Sequence, residues 1–287
     1  MKIIRAEHCG YCMGVERAIK QTYEKINQNK GKLIFTLGPL IHNKVALEDL
    51  ANQGVSMISD PKDLKAPQNS LVIIRAHGIP PSVEDQFTAQ GVELFDATCP
   101  KVKAIHRKVR NYESEGFQVL ITGDKNHSEV VGILGYAPKS IVIESMDDAR
   151  QLVQQVQSLK ASEQKVVLVS QTTFNEVLFE QISSFLQQSI PNLHIDNTIC
   201  RATRDRQEAI QNLCDKVNAI LVIGGKNSAN TQRLKQIVEE RGKPVWLIET
   251  ADDIPPEVFS FETIGLSAGA STPPFLIDQI ERILTSP

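Results

Sequence analysis

The chain carries five cysteines, and three of them, Cys12, Cys99 and Cys200, stand just ahead of helix-like runs. A thiol at a strand-to-helix junction lies where free helix N–H groups favour the thiolate, the form that binds metals. Cys12 also forms a C-x-x-C with Cys9, in "HCGYC" (8–12). Alone, that spacing fits a redox disulfide, half a zinc site or part of an iron–sulfur site. The wider spacing says more. "FDATCP" (95–100) echoes "DNTICRAT" (196–203), and Cys12 lies nearly as far before Cys99 as Cys200 lies after it. One cysteine per repeat lets three thiolates meet at one point. Three thiolates with an open position suit a four-iron cluster or a catalytic zinc; three isolated thiols are the plainer alternative. Cys9 is then a fourth ligand, a redox partner of Cys12 or a bystander. Cys214 shares one helical face with Ile210, Leu213 and Val217 and reads as core.

Bringing such distant residues together takes a repeated scaffold. Short apolar runs at 32–38, 70–78, 117–123, 165–173, 219–225 and 263–269 read as buried parallel strands, each ending in small or hydroxyl residues. Helical patterns such as 43–54 and 147–160 fall between them. This alternation predicts an α/β fold with mostly parallel sheet. The long repeat predicts three similar units, at 1–98, 99–196 and 197–287, with two of these strands in each.

In open parallel sheets ligands sit beyond the carboxyl ends of the strands. There the chain places His42 and Asn43, His77, His127 with Glu129, Thr172 with Thr173, Asn227, Ser228 and Asn230, and Ser271 with Thr272. Hydroxyls, amides and imidazoles beside helix N-termini can hold a phosphate without a P-loop lysine. Each residue also has an ordinary role: a helix cap for Ser, Thr or Asn, a structural hydrogen bond for His, a solvated surface for Glu129, Lys125 or Lys226. What favours a site is that all six strand ends look alike. Neither the Walker nor the dinucleotide glycine pattern is present.

The bulk numbers exclude some classes. Net charge is −3, aromatics make up 5 %, and no basic block stands out, which argues against a nucleic-acid or membrane-surface binder. The first apolar run is too short for a secretory signal, so a cytoplasmic setting with reduced thiols is expected.

Taken together, "GYCMGVERAI", "LIHNKVALEDL", "IIRAHGIPP", "FDATCPKV", "NHSEVVG", "SQTT", "TICRATRDRQ", "GGKNSANTQRL" and "SAGASTP" resemble, in order, the motifs of the 4-hydroxy-3-methylbut-2-enyl diphosphate reductases, the LytB/IspH family. The likeness covers nearly the whole chain. It implies three α/β units in a pseudo-threefold arrangement around one [4Fe-4S] cluster, held by Cys12, Cys99 and Cys200 with one iron open. It implies reductive dehydroxylation of (E)-4-hydroxy-3-methylbut-2-enyl diphosphate to isopentenyl and dimethylallyl diphosphates, the last step of the methylerythritol phosphate route to isoprenoids. His42, His77, Ser228, Asn230 and Ser271 match diphosphate-binding positions, with His127 close by. Glu129 resembles the family's proton-relay acid, and Thr172 the hydroxyl that holds the substrate oxygen. A ferredoxin or flavodoxin is the implied electron donor. Two departures stand out: Ala229 replaces the middle serine of a Ser-Ser-Asn, which predicts weaker diphosphate binding offset by backbone N–H groups, and His8-Cys9 replaces Pro-Arg. The rival is a zinc-dependent hydrolase using the same three thiolates.

Overall fold

The computed structural model describes residues 1–64, 66–158 and 165–285. The chain opens with β1 (Lys2–Arg5) and α1 (Met13–Gln28). Next come β2 (Leu33–Leu37), α2 (Lys44–Asn52), β3 (Val55–Ile58), β4 (Ser70–Ile74), α3 (Pro81–Ala89), β5 (Glu93–Asp96) and α4 (Pro100–Ser114). The middle of the chain forms β6 (Gln118–Thr122), α5 (Ser128–Tyr136), β7 (Ile141–Ile143), α6 (Met146–Ser158), β8 (Val166–Ser170), α7 (Glu176–Ser189), β9 (Leu193–Ile195) and α8 (Arg201–Cys214). The last part forms β10 (Ala219–Ile223), α9 (Ala229–Glu240), β11 (Val245–Ile248), β12 (Thr263–Ala268) and α10 (Pro274–Thr285). The helical pattern at 147–160 thus corresponds to α6, and its last two positions lie outside the described residues.

The strands make three four-stranded sheets, parallel throughout. Written from equivalent edges, their orders are β5-β4-β2-β3, β9-β8-β6-β7 and β1-β12-β10-β11. The third sheet is therefore completed by the beginning of the chain: β1 pairs with β12, from Lys2↔Thr263 to Arg5↔Leu266. Residues 2–5 belong with the third sheet, not with the first as a division by chain order expects. The six apolar runs are the two inner strands of each sheet, and the flanking six complete the sheets.

The inner strands are buried because helices cover both faces. β4, β8 and β10 are buried at every residue. Alternate side chains then feed opposite cores. Leu71 and Ile73 of β4 join one cluster, Val72 and Ile74 another. The same split separates Leu168 from Val167 and Val169, and Leu221 from Ile220 and Val222. Helix α1 shows how the helices answer: Gly14, Val15, Ala18, Ile19 and Thr22 form its one buried face.

Candidate functional site

Three strands of each sheet send their carboxyl-terminal loops to one central cavity of about 700 Å³, its open mouth included. The thiols come from equivalent places. Cys12 follows β1, Cys99 follows β5 and Cys200 follows β9, and each is the N-cap of the next helix. None of the three side chains makes a well-formed capping hydrogen bond, the usual task of a side chain at this position, and the Cys99 sulfur draws on nearby N–H groups, those of Lys101 and Val102. Their backbone N–H groups are tied down by matching bonds: Cys12 to the Ala270 carbonyl (3.0 Å), Cys99 to that of Ala76 (2.9 Å) and Cys200 to that of Thr172 (2.9 Å). Each bond fastens a thiol-bearing turn to the loop of the adjacent inner strand, next to or at a candidate ligand (Ser271, His77, Thr172).

Gly14 lets two units close up. A methyl group there would lie 2.5 Å from Cys99 Sγ and 4.0 Å from Cys12 Sγ, so only the missing Cβ admits this approach. Burial pushes the Cys99 thiol up, while the N–H groups of Lys101 and Val102 pull it down. The helix N-terminus acts as expected, but burial outweighs it in the protein alone. All five cysteines are free thiols. Cys9 is not among the cavity-lining residues and packs against the core of the third sheet, where burial raises its thiol to about 11. Cys214 is wholly buried in a core cluster.

The same cavity is lined by His42, His77, His127, Ser228, Asn230 and Ser271. The three imidazoles form a tight group, with ring centroids 4.6 Å (His42–His77), 5.5 Å (His42–His127) and 5.3 Å (His77–His127) apart. Burial keeps all three neutral. It is the main cause of the lowered values, to about 4 for His127, and the positive charge of Arg75 adds to it in each. His127 Nδ1 accepts the Glu129 N–H at 3.1 Å, which leaves the ring proton on Nε2. His42 Nε2, His77 Nδ1 and Asn230 Nδ2 are buried with no protein partner. Buried polar atoms are normally satisfied, so this group has hydrogen bonds to offer a ligand. His127 and Ser228 are also the N-caps of α5 and α9, and the helix dipoles there favour an anion.

Glu129 is 1 % exposed. Its Oε1 accepts the Thr172 N–H at 2.6 Å and its Oε2 the Thr172 hydroxyl at 2.7 Å. Burial raises its pKa to about 7, and the two Thr172 bonds oppose the rise. The folded chain therefore keeps a proton on Glu129 in a pH range where the unfolded chain has lost it. That contribution to stability is complete below the unfolded value of 4.5 and is lost as the pH rises through 7. Glu129→Gln cannot ionise, so between pH 4.5 and 8 it should gain roughly 3 kcal/mol on the parent. Urea denaturation of the full chain at both pH values measures this; a difference that does not change with pH would contradict it.

The residues named from sequence thus meet: Cys12, Cys99, Cys200, His42, His77, His127, Glu129, Thr172, Thr173, Ser228, Asn230 and Ser271 all line the one cavity. Others nearby do ordinary work. Asn43 caps α2 by accepting the Ala46 N–H, and the Thr272 hydroxyl donates to the Ile223 carbonyl. Asn227 lines a neighbouring groove. Lys125 pairs with Glu144 at 3.2 Å. Sequence reasoning passed over Gly14 and Arg206, which also line the cavity. Neither carried a local signal, since one reads as a turn residue and the other as one of several basic residues in a row.

Fold and site define a three-sheet α/β protein with one thiol- and histidine-lined cavity where its units meet. The chain belongs to the LytB family, whose model, described as LytB protein, matches residues 3–285. A relative from Treponema denticola, a 4-hydroxy-3-methylbut-2-enyl diphosphate reductase, is 44 % identical over 99 % of this chain and 99 % of its own. A solved structure of the E-1-hydroxy-2-methyl-but-2-enyl-4-diphosphate reductase from Plasmodium falciparum superposes with a TM-score of 0.91 at 27 % identity, covering 100 % of this chain and 88 % of that one. A second solved structure, of (E)-4-hydroxy-3-methyl-but-2-enyl diphosphate reductase, described as the terminal enzyme of the non-mevalonate pathway, is 41 % identical with a TM-score of 0.70, covering 98 % and 97 %.

Proposed function

We infer that this chain is a reductase of (E)-4-hydroxy-3-methylbut-2-enyl diphosphate, releasing the terminal hydroxyl as water and forming isopentenyl and dimethylallyl diphosphates. The observation that carries the reading is one cavity holding three equivalent, uncapped thiols beside a cluster of neutral, hydrogen-bond-hungry side chains. The reaction takes two electrons and two protons, and side chains supply only the protons.

The donor set fits an iron–sulfur cluster: Cys12, Cys99 and Cys200 are free, face one space and lie at helix N-termini. Three ligands on a four-iron cluster leave one iron open. Bound there, the cluster would supply electrons one at a time and a Lewis-acidic position.

The remaining work falls to the protein. His42, His77, His127, Ser228, Asn230 and Ser271 anchor the diphosphate by hydrogen bonds, and the first turns of α5 and α9 add their dipoles. Ala229 lines the same cavity without a hydroxyl to give. Binding at the diphosphate end, away from the reacting carbon, orients the allylic alcohol. Glu129, with its pKa near neutrality, is the proton source. The Thr172 hydroxyl, 2.7 Å from Glu129 Oε2, accepts that proton as it gives its own to the leaving hydroxyl. A cytoplasmic setting and a ferredoxin or flavodoxin donor complete the reading. Among the described residues no helix is long and apolar enough to cross a membrane.

Metal and sulfide analysis of the chain purified without oxygen tests it. Iron with acid-labile sulfide and a visible charge-transfer band is the expected result. Stoichiometric zinc without sulfide would favour the hydrolase instead.

A further inference from the structure

We propose that Arg206 is the fixed counter-charge of the thiolate-bound centre and holds its reduction potential up. The proposal rests on the reading above that Cys12, Cys99 and Cys200 carry an iron–sulfur cluster. Arg206 stands on α8, the helix that Cys200 caps, is 5 % exposed and lines the thiol cavity. Its Nη2 donates to the Gly10 carbonyl at 2.6 Å and its Nη1 to the Ala202 carbonyl at 2.8 Å. Its Nε is buried with no partner.

Among the described residues no carboxylate forms an ion pair with this guanidinium, and its neighbour Asp205 lies 3.7 Å from Arg201 instead. A buried cation without a counter-charge is costly to the fold. A negative group held in the cavity beside Arg206 would offset that cost. The sulfurs of Cys12, Cys9 and Cys200 and the carboxylate of Asp205 act on Arg206 through space, and of these only Cys12 and Cys200 line the cavity. An oxidised four-iron core held by three thiolates is a net anion, and an added electron makes it more negative. A fixed positive charge stabilises the more negative state more, so it raises the potential.

The hydrogen bond to Gly10 gives Arg206 a further hold. Gly10 lies between Cys9 and Cys12 with φ +90°. Arg206 grips the carbonyl of Gly10, and Ala270 accepts the N–H of Cys12. The turn that presents Cys12 is thus pinned at both ends, one of them by a charge that faces the cluster.

The test is a reductive titration of the anaerobically reconstituted protein, followed by visible and EPR spectra, for the parent, Arg206→Gln and Arg206→Lys. Losing the charge in Arg206→Gln should shift the one-electron equilibrium about tenfold towards the oxidised cluster, a midpoint about 59 mV lower. Arg206→Lys should stay close to the parent. An intact cluster in Arg206→Gln with the parent's midpoint overturns the proposal. If Arg206→Gln does not load, Arg206→Lys decides: a parent-like midpoint supports the charge, while a lowered midpoint or failure to load overturns it. A parent protein without iron and sulfide would instead refute the cluster reading, so the two failures are distinct.

Discussion

Cys99→Ala, purified without oxygen, should be a folded, nearly colourless protein with iron at trace levels and no detectable turnover. Cys12→Ala and Cys200→Ala should behave alike, because the three residues occupy equivalent positions in the three sheets. Alanine leaves the N-cap backbone and its docking bond intact and gives up only the weak contacts of the Cys99 sulfur with the Lys101 and Val102 N–H groups. The fold therefore has little to lose. The cluster loses one of three protein ligands, and a site with two thiolates cannot close around it. Cys9→Ala and Cys214→Ala are the controls, since Cys9 is not part of the cavity lining and Cys214 is core. Both should keep the parent's iron content, Cys214→Ala with some loss of stability from the lost packing. Iron and sulfide analysis with the visible spectrum reads all five variants. A brown, iron-replete, active Cys200→Ala would refute the ligand assignment.

Glu129→Gln is expected to retain its cluster and lose turnover by ~100-fold, as befits a missing acid–base group. Gln keeps the shape, and its Oε1 can still accept the Thr172 N–H while its Nε2 would donate to the Thr172 hydroxyl in place of accepting from it, but it has no proton to give. KM should change much less than kcat, because the diphosphate anchors lie elsewhere in the cavity. The pH profile separates this role from a structural one. A proton donor with a pKa of about 7 makes the parent's rate fall as pH rises past neutrality. In Glu129→Gln that limb should vanish, leaving a low, flat rate. Steady-state kinetics from pH 6 to 9 with cluster content checked at each point would show it. Normal turnover, or an unchanged alkaline limb, would remove Glu129 from the proton path.

Much of this was legible in the chain, and the illegible part has physical causes. The inner strands read clearly because burial on both faces makes them unbroken apolar runs, as in "SLVII" of β4. The outer strands did not. β7 and β9 have three residues each, and β1 exposes both its end residues. The partner of β1 lies at the other end of the chain, so no local pattern could assign it to the third sheet. The echo between the Cys99 and Cys200 segments was visible and the spacing grouped Cys12 with them; that Cys12 follows an edge strand of the third sheet, as Cys99 and Cys200 follow edge strands of the other two, comes from that pairing. At the strand ends the cap and ligand readings did not exclude each other. Ser228 caps α9 by accepting the Thr231 N–H and still lines the cavity, whereas Asn43 is a buried cap to α2. Arg206 was hidden in "RATRDRQ" because its partner, the Gly10 carbonyl, lies 196 residues away along the chain.

The central claim is the reduction itself. Anaerobically reconstituted protein, given reduced viologen and (E)-4-hydroxy-3-methylbut-2-enyl diphosphate, should oxidise two equivalents of the one-electron donor per substrate and yield isopentenyl and dimethylallyl diphosphates with the diphosphate intact. Substrate left unreduced by a fully iron-loaded protein, or released phosphate in place of an allylic product, would contradict it.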